Sequence, residues 1–228
     1  MRKVGILCLI ICFCSSAAYS QLLNLEGTSG NVLREQKYKN IEGSPYLFTS
    51  YKSTRVFDRR GNVDNVFAKY DVYKEELEVY NDGNPIILDP KLYGAFMFDF
   101  IDEETNKRVQ FLFKNGYKID KYKVVDYFQV LKDEGKIKFL KKINITSVDE
   151  DQATYSGNND VATRFVRTEK YFVLNGDKVN SFKKLSKSNL FKIFGENDED
   201  VLFLKKNRSK LKTEQEVIVY LNYKENNP

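Results

Sequence analysis

The sequence predicts an α+β fold: an antiparallel β-meander, as a curved sheet or half-barrel, followed by a small C-terminal helical segment. Three observations carry this. From residue 43 onward, short runs that alternate apolar and polar side chains recur about every 8–12 residues, separated by Asn, Asp and Gly turn signals. Most of the chain's 15 Tyr and 17 Phe fall in that region, and aromatic residues favour strands and fill cores. After residue 183 the apolar spacing changes to the i, i+3, i+4 pattern of a helical face.

The runs follow in order. Residues 55–58 end at Arg60-Gly61-Asn62. Residues 63–73 place Val66, Ala68, Tyr70 and Val72 on one face, and residues 76–80 do the same with Leu77 and Val79. Asn81-Asp82-Gly83 is a hairpin signal, because these residues tolerate positive φ. Residues 85–88 and 93–100 come next, the latter alternating Tyr93, Ala95, Met97 and Asp99 with Gly94, Phe96, Phe98 and Phe100. Residues 108–113 stop at Asn115-Gly116, and residues 124–132 stop at Asp133-Glu134-Gly135. Residues 136–145 alternate Ile137, Phe139 and Ile143 with several lysines. Residues 147–160 break the pattern. Residues 163–166 and 169–174 resume it, and Asn175-Gly176 fits a two-residue type I′ turn into residues 178–182.

Three helices are expected to close the chain. Ser186 or Ser188 would cap the first, which holds Leu190, Phe191 and Phe194 and stops at Gly195. Asp198 would cap the second, although Val201, Leu202, Phe203 and Leu204 in a row also suit a strand. Thr213 and Glu216 match a capping box, with Val217, Tyr220 and Leu221 on one face behind it. The expected organisation is therefore a signal peptide (1–20), a weakly structured leader (21–42), a sheet region (43–183) and helices packing on the sheet (184–228).

Residues 1–20 read as an export signal. Arg2 and Lys3 precede an apolar run at residues 4–13, too short to span a bilayer. Ala18 and Ser20 then provide small residues for cleavage between Ser20 and Gln21. No small residue precedes Cys8, Cys12 or Cys14, which argues against a lipid anchor. No later segment is a transmembrane candidate. The expected localisation is periplasmic or extracellular. All three cysteines fall in the signal, so the exported chain would be stabilised by packing alone.

Composition removes most familiar chemistry. The chain has no His and no Trp, and cleavage would remove every Cys. Histidine triads, His- and Cys-ligated zinc and thiol redox chemistry are excluded for the exported form. No phosphate-binding loop or dinucleotide fingerprint occurs, and no cofactor is expected. Cleavage leaves 35 basic against 32 acidic residues, too balanced for a nucleic-acid binder. In residues 147–160, Asp149 and Asp151 match the first two ligand positions of a calcium loop. Ala153 takes the third and Thr154 replaces the glycine, so this reads as a solvated acidic loop. The adjacent pairs Ser186-Lys187 and Ser209-Lys210 carry little weight, because a Ser–Lys dyad needs spatial contact and a desolvated lysine.

The segment Glu42-Gly43-Ser44-Pro45-Tyr46-Leu47-Phe48, the meander after it, and the end from Glu169-Lys170-Tyr171-Phe172-Val173 through Lys183-Lys184 to Tyr223 resemble a group of uncharacterised, signal-peptide-bearing exported proteins of Bacteroidota. The resemblance covers most of residues 42–225. It implies a bacterial exported protein and transfers no catalytic or binding residue. It also implies that Asn144 and Asn207, both in glycosylation-type triplets, stay bare.

The one concentrated charge feature is Lys205, Lys206, Arg208, Lys210 and Lys212, five cations in eight residues with no acid among them. Such a strip suits lipid phosphate, lipopolysaccharide or another anionic envelope polymer. Its plain alternative is a solvated helix end, where the dipole favours lysine. Two functional classes follow. The first is a non-enzymatic envelope binding or interaction protein for an apolar or anionic ligand. The second is a carboxylate-based hydrolase, which needs only two suitably placed acids. A pocket with convergent acids, one of raised pKa, would favour the enzyme. A long apolar groove would favour lipid carriage, and a filled aromatic core would favour an interaction module.

Overall fold

A computed structural model describes residue 38 and residues 41–81, 84–150 and 162–227. The expected signal peptide, nearly all of the expected leader, the three cysteines, the tip of the 81–83 turn and most of the acidic loop lie outside the described residues. Within them is a sheet of eleven strands and three helices. The strands are β1 (Ile41–Glu42), β2 (Lys52–Asp58), β3 (Val63–Asp71), β4 (Glu76–Asn81), β5 (Asn84–Ile87) and β6 (Tyr93–Ile101). After them come β7 (Arg108–Lys114), β8 (Phe128–Lys132), β9 (Ile137–Glu150), β10 (Ala162–Asn175) and β11 (Lys178–Phe182). The helices are α1 (Lys187–Phe194), α2 (Asp198–Lys206) and α3 (Glu214–Asn226).

The strand order is β1-β10-β9-β8-β7-β6-β2-β3-β4-β5, with β11 also on β10. The sheet is mixed rather than purely antiparallel, because Ile41–Glu42, assigned to the leader, pairs in parallel with Thr163 and Arg164. The meander is also interrupted: β6 pairs with β2, not with its predecessor β5. The β2–β3 turn holds the start of β6 there. Arg59 receives no strand partner of its own; its N–H donates to the Leu92 carbonyl and its guanidinium to the Lys91 carbonyl and to Asn115.

Several element boundaries also shift. The 124–132 run is strand only from Phe128, and residues 147–150, read as loop, extend β9 in register with β10. The two runs at 163–174 are one continuous strand. The closing turn is Gly176-Asp177, one residue later than expected, because Asn175 pairs with Lys178. Gly176 has φ +58° while Asp177 is not in positive-φ space, the arrangement of a II′ rather than a I′ turn.

The open sheet bends until distant strands meet. Lys142 on β9 contacts Glu75 in the β3–β4 turn at 2.7 Å, and Tyr73 packs its ring on Phe165 of β10 at 5.3 Å. Rings fill the inside of the bend. Phe96 stacks on Phe113 at 4.9 Å, Tyr127 and Tyr70 lie 4.9 and 5.1 Å from Phe96, and Phe48 closes over Phe98, Phe100 and Phe111. A second cluster joins the helices to the sheet, with Phe139, Tyr171, Val173 and Phe182 packed under Leu190, Leu211, Val217, Tyr220 and Leu221. A third gathers Ile119, Phe128, Leu140 and Phe172. Leu140 and Phe172 are opposite partners in the ladder, as are Phe139 and Val173. Adjacent positions point to opposite faces, so β9 is covered on both sides. The expected alternation of Ile137, Phe139 and Ile143 with lysines therefore holds for Lys136 and Lys138 but fails at Lys141 and Lys142. Lys141 and Lys142 are 8% and 2% exposed.

The helices form where capping chemistry begins them. Ser186, not Ser188, caps α1 by accepting from the Asn189 N–H. Asn197 rather than Asp198 caps α2, and Val201 to Leu204 are helical. Asp198 instead occupies the first turn, where the helix dipole favours an anion. Thr213 and Glu216 form the capping box of α3.

Candidate functional site

The cations of the C-terminal half divide into two populations. Buried ones are consumed by the fold. Lys132, Lys141, Lys142 and Lys224 are the buried lysines among the described residues, and each meets a carboxylate: Glu225 at 2.9 Å, Glu214 at 2.8 Å, Glu75 at 2.7 Å and Asp200 at 3.4 Å. In three of these pairs a phenol also donates to the same acid: Tyr171 to Glu214, Tyr70 to Glu75 and Tyr220 to Asp200. Burial raises the pKa of all three phenols, and the adjacent carboxylate raises it further. They act as donors only. A tyrosine–acid–lysine unit satisfies a buried carboxylate from two sides. Sequence reasoning missed these units, since acid and lysine lie 73, 67 and 24 positions apart in the chain.

The second population is the strip. Lys205, Lys206, Arg208, Lys210 and Lys212 are all exposed, and none has a carboxylate within ion-pair distance among the described residues. Lys205 and Lys206 form the last turn of α2. Arg208 and Leu211 take positive φ, 51° and 53°, in the loop that follows. Leu211 is fully buried in the helix–sheet cluster and pins that loop. The sequence therefore folds so that Leu211 turns in while Lys210 and Lys212 turn out. Three backbone N–H groups around the start of α3, those of Lys212, Thr213 and Glu216, are taken up by the capping box. The Glu216 carboxylate accepts from Lys212 N–H at 2.7 Å and Thr213 N–H at 3.3 Å. These bonds, chiefly the one from Lys212, hold its pKa below the usual range. An anion approaching the strip meets its five exposed side chains.

A third group was not anticipated. Carboxylate oxygens of Asp71, Glu76 and Glu78 lie within 4.8 Å of one another, with Asp71 fully buried and Glu78 3% exposed. Three oxygen donors suit a hard divalent cation. Protein donors already occupy much of this set: Tyr38 O–H and the Lys74 N–H donate to Asp71, and Tyr46 O–H donates to Glu78 at 3.1 Å. The Lys69 ammonium sits 3.9 Å from the centre of the Tyr46 ring. The alternation along β3 and β4 puts these acids on the opposite face from Tyr70 and Leu77, the only signal for them in the sequence.

Among the described residues, two cavities adjoin the sheet. One of about 480 Å³ lies between β7, β8 and α3, where Asp133 bonds Lys114 at 2.5 Å. Burial opposes ionisation of Asp133, but the hydrogen bonds and charges of Lys114 and Lys138 together outweigh it and lower its pKa. A general acid needs the opposite shift. Glu75, whose pKa burial does raise, is held by Tyr70 and Lys142 and lines neither cavity. The other cavity, about 190 Å³ inside the bend, is rimmed by Gln129, Lys141 and Arg167. It is smaller than ordinary ligand pockets. No helix among the described residues is long and apolar enough to cross a membrane. No protein-family model matches the chain, and neither a curated protein nor a solved structure matches it.

Proposed function

We propose that this chain is an exported, non-enzymatic interaction protein of the bacterial envelope that engages an anionic partner through Lys205, Lys206, Arg208, Lys210 and Lys212. The observation that carries this reading is the contrast between two sets of cations. Among the described residues every buried lysine pairs with an acid, whereas five neighbouring exposed cations form no ion pair. Like charges held together repel one another, and an anionic partner relieves that cost. The ring-filled interior supports an interaction module over a lipid carrier. The lowered Asp133 gives no support to a carboxylate hydrolase. Export with cleavage at or beside Gln21, and kinship with the Bacteroidota group, belong to the same proposal.

The test is binding to dextran sulfate and to lipopolysaccharide at about 0.01 M and 0.15 M salt, where the Debye length falls from about 30 to about 8 Å. Binding is expected at low salt, weaker at high salt, and lost when Lys205, Lys206 and Arg208 are changed together to Gln. A control needs exposed lysines away from the strip, which excludes the buried and paired Lys141 and Lys142. Lys178, Lys183 and Lys184 are exposed, and their change together to Gln is that control. Equal loss from both triple variants would reduce the site to a net-charge effect.

A further inference from the structure

The strip has an apolar neighbour. Leu202 is 64% exposed, the most exposed large hydrophobic side chain among the described residues. It lies on α2 three and four residues before Lys205 and Lys206, so all three share one helix face. The opposite face holds Asp200 and Leu204, which are buried. A leucine standing free beside unpaired cations matches a bilayer interface, where headgroup phosphate meets the charge and the acyl boundary takes the side chain. A soluble polyanion has no use for the leucine.

We infer that the α2 C-terminus and the loop after it form a peripheral docking surface for an anionic lipid bilayer, with Leu202 entering the headgroup–acyl boundary. This rests on the proposed anion-binding role of the strip. Asp198 and Glu199 lie on the same face as Leu202, one turn earlier. They stand about 10 Å along the axis from Lys205 and Lys206. The helix therefore meets the surface tilted, C-terminal end first, with those two acids lifted away. Docking of this kind is reversible, since one side chain and a few charges anchor weakly compared with a spanning segment.

The chain contains no tryptophan, so Leu202→Trp installs a single reporter at the proposed contact. Vesicles of phosphatidylglycerol and phosphatidylcholine, vesicles of phosphatidylcholine alone, and dextran sulfate are the three probes. Tryptophan emission is expected to shift to the blue with the anionic vesicles only. Leu202→Ser is expected to weaken binding to the anionic vesicles about tenfold, the order expected for one partly buried leucine, and to leave dextran sulfate binding unchanged. Folding is monitored by circular dichroism. Binding of dextran sulfate without a blue shift on anionic vesicles would assign the strip to a soluble polyanion and overturn the lipid inference alone. Equal vesicle binding by Leu202→Ser and the unaltered chain would overturn the role of the leucine. Binding to none of the probes would overturn the anionic-partner reading itself.

Discussion

Glu225→Gln tests how the helical layer is fastened to the sheet. Glu225 lies in the last turns of α3, and its carboxylate reaches the β8–β9 turn. There it accepts from the Ile137 N–H at 2.5 Å and from Lys132 Nζ at 2.9 Å. The Lys132 side chain is 6% exposed and the Glu225 side chain 17%. Breaking a buried pair by removing one charge costs about 3–5 kcal/mol. Lys132 keeps the Glu134 and Ile137 carbonyls as acceptors, so about 2–3 kcal/mol is expected for Glu225→Gln. Lys132→Met leaves the more exposed partner with its Ile137 N–H and should cost about 1–2 kcal/mol. The double variant leaves no orphaned charge and should cost less than the sum, with a coupling of about 1 kcal/mol or more.

Urea denaturation at constant m-value measures all three variants. The effect should also depend on pH. Burial pushes the Glu225 pKa up, but the Ile137 N–H and Lys132 outweigh it, and the net shift is downward from about 4.5. The folded state then binds its proton less tightly than the unfolded state. The contribution of Glu225 is present above about pH 4.5 and disappears as pH falls through the lowered folded value. The stability gap between Glu225→Gln and the unaltered chain should narrow over that window. Single effects that add within about 0.5 kcal/mol, or a gap that is flat with pH, would refute the desolvated clamp.

Two further predictions concern the same region. Sequence reasoning ranks Thr213→Ala, at about 0.5–2 kcal/mol, above Glu216→Ala, but the structure reverses the order. Glu216 accepts from two backbone N–H groups and Thr213 from one. Glu216→Ala should lower the urea midpoint at least as far as Thr213→Ala, and a clearly smaller shift would restore a simple capping box. Gly135→Ala places a Cβ 2.5 Å from the Glu225 carboxylate at φ +81°. It should cost about 1–3 kcal/mol and make Glu225→Gln much less damaging when the two are combined; strict additivity would place Gly135 outside the clamp.

The sequence alone determined the elements whose cause is local. Alternation placed Ala68 and Tyr70 inward along β3 and Val72 just after it, and Leu77 and Val79 with them. Turn chemistry located the hairpins to within a residue or two, and Thr213 with Glu216 announced α3. The strip at 205–212 was legible because five cations in eight residues need no partner to be seen. Tertiary structure decided what depends on partners distant in the chain. β6 landed on β2 because Arg59 binds the chain just before it and buried Val56 and Phe96 face each other across the pair. Lys141 and Lys142 turned from outward charges into buried ones because rings and helices cover β9 on both faces. Glu75, Glu214 and Asp200 became structural because Tyr70, Tyr171 and Tyr220 reach them from other elements. The prominence of Leu202 also waited for the structure, since a run of four apolar residues does not say which face stays wet. Local geometry is written in residue spacing of two or four. Desolvation and pairing depend on which surfaces meet once the sheet bends, and no spacing encodes that.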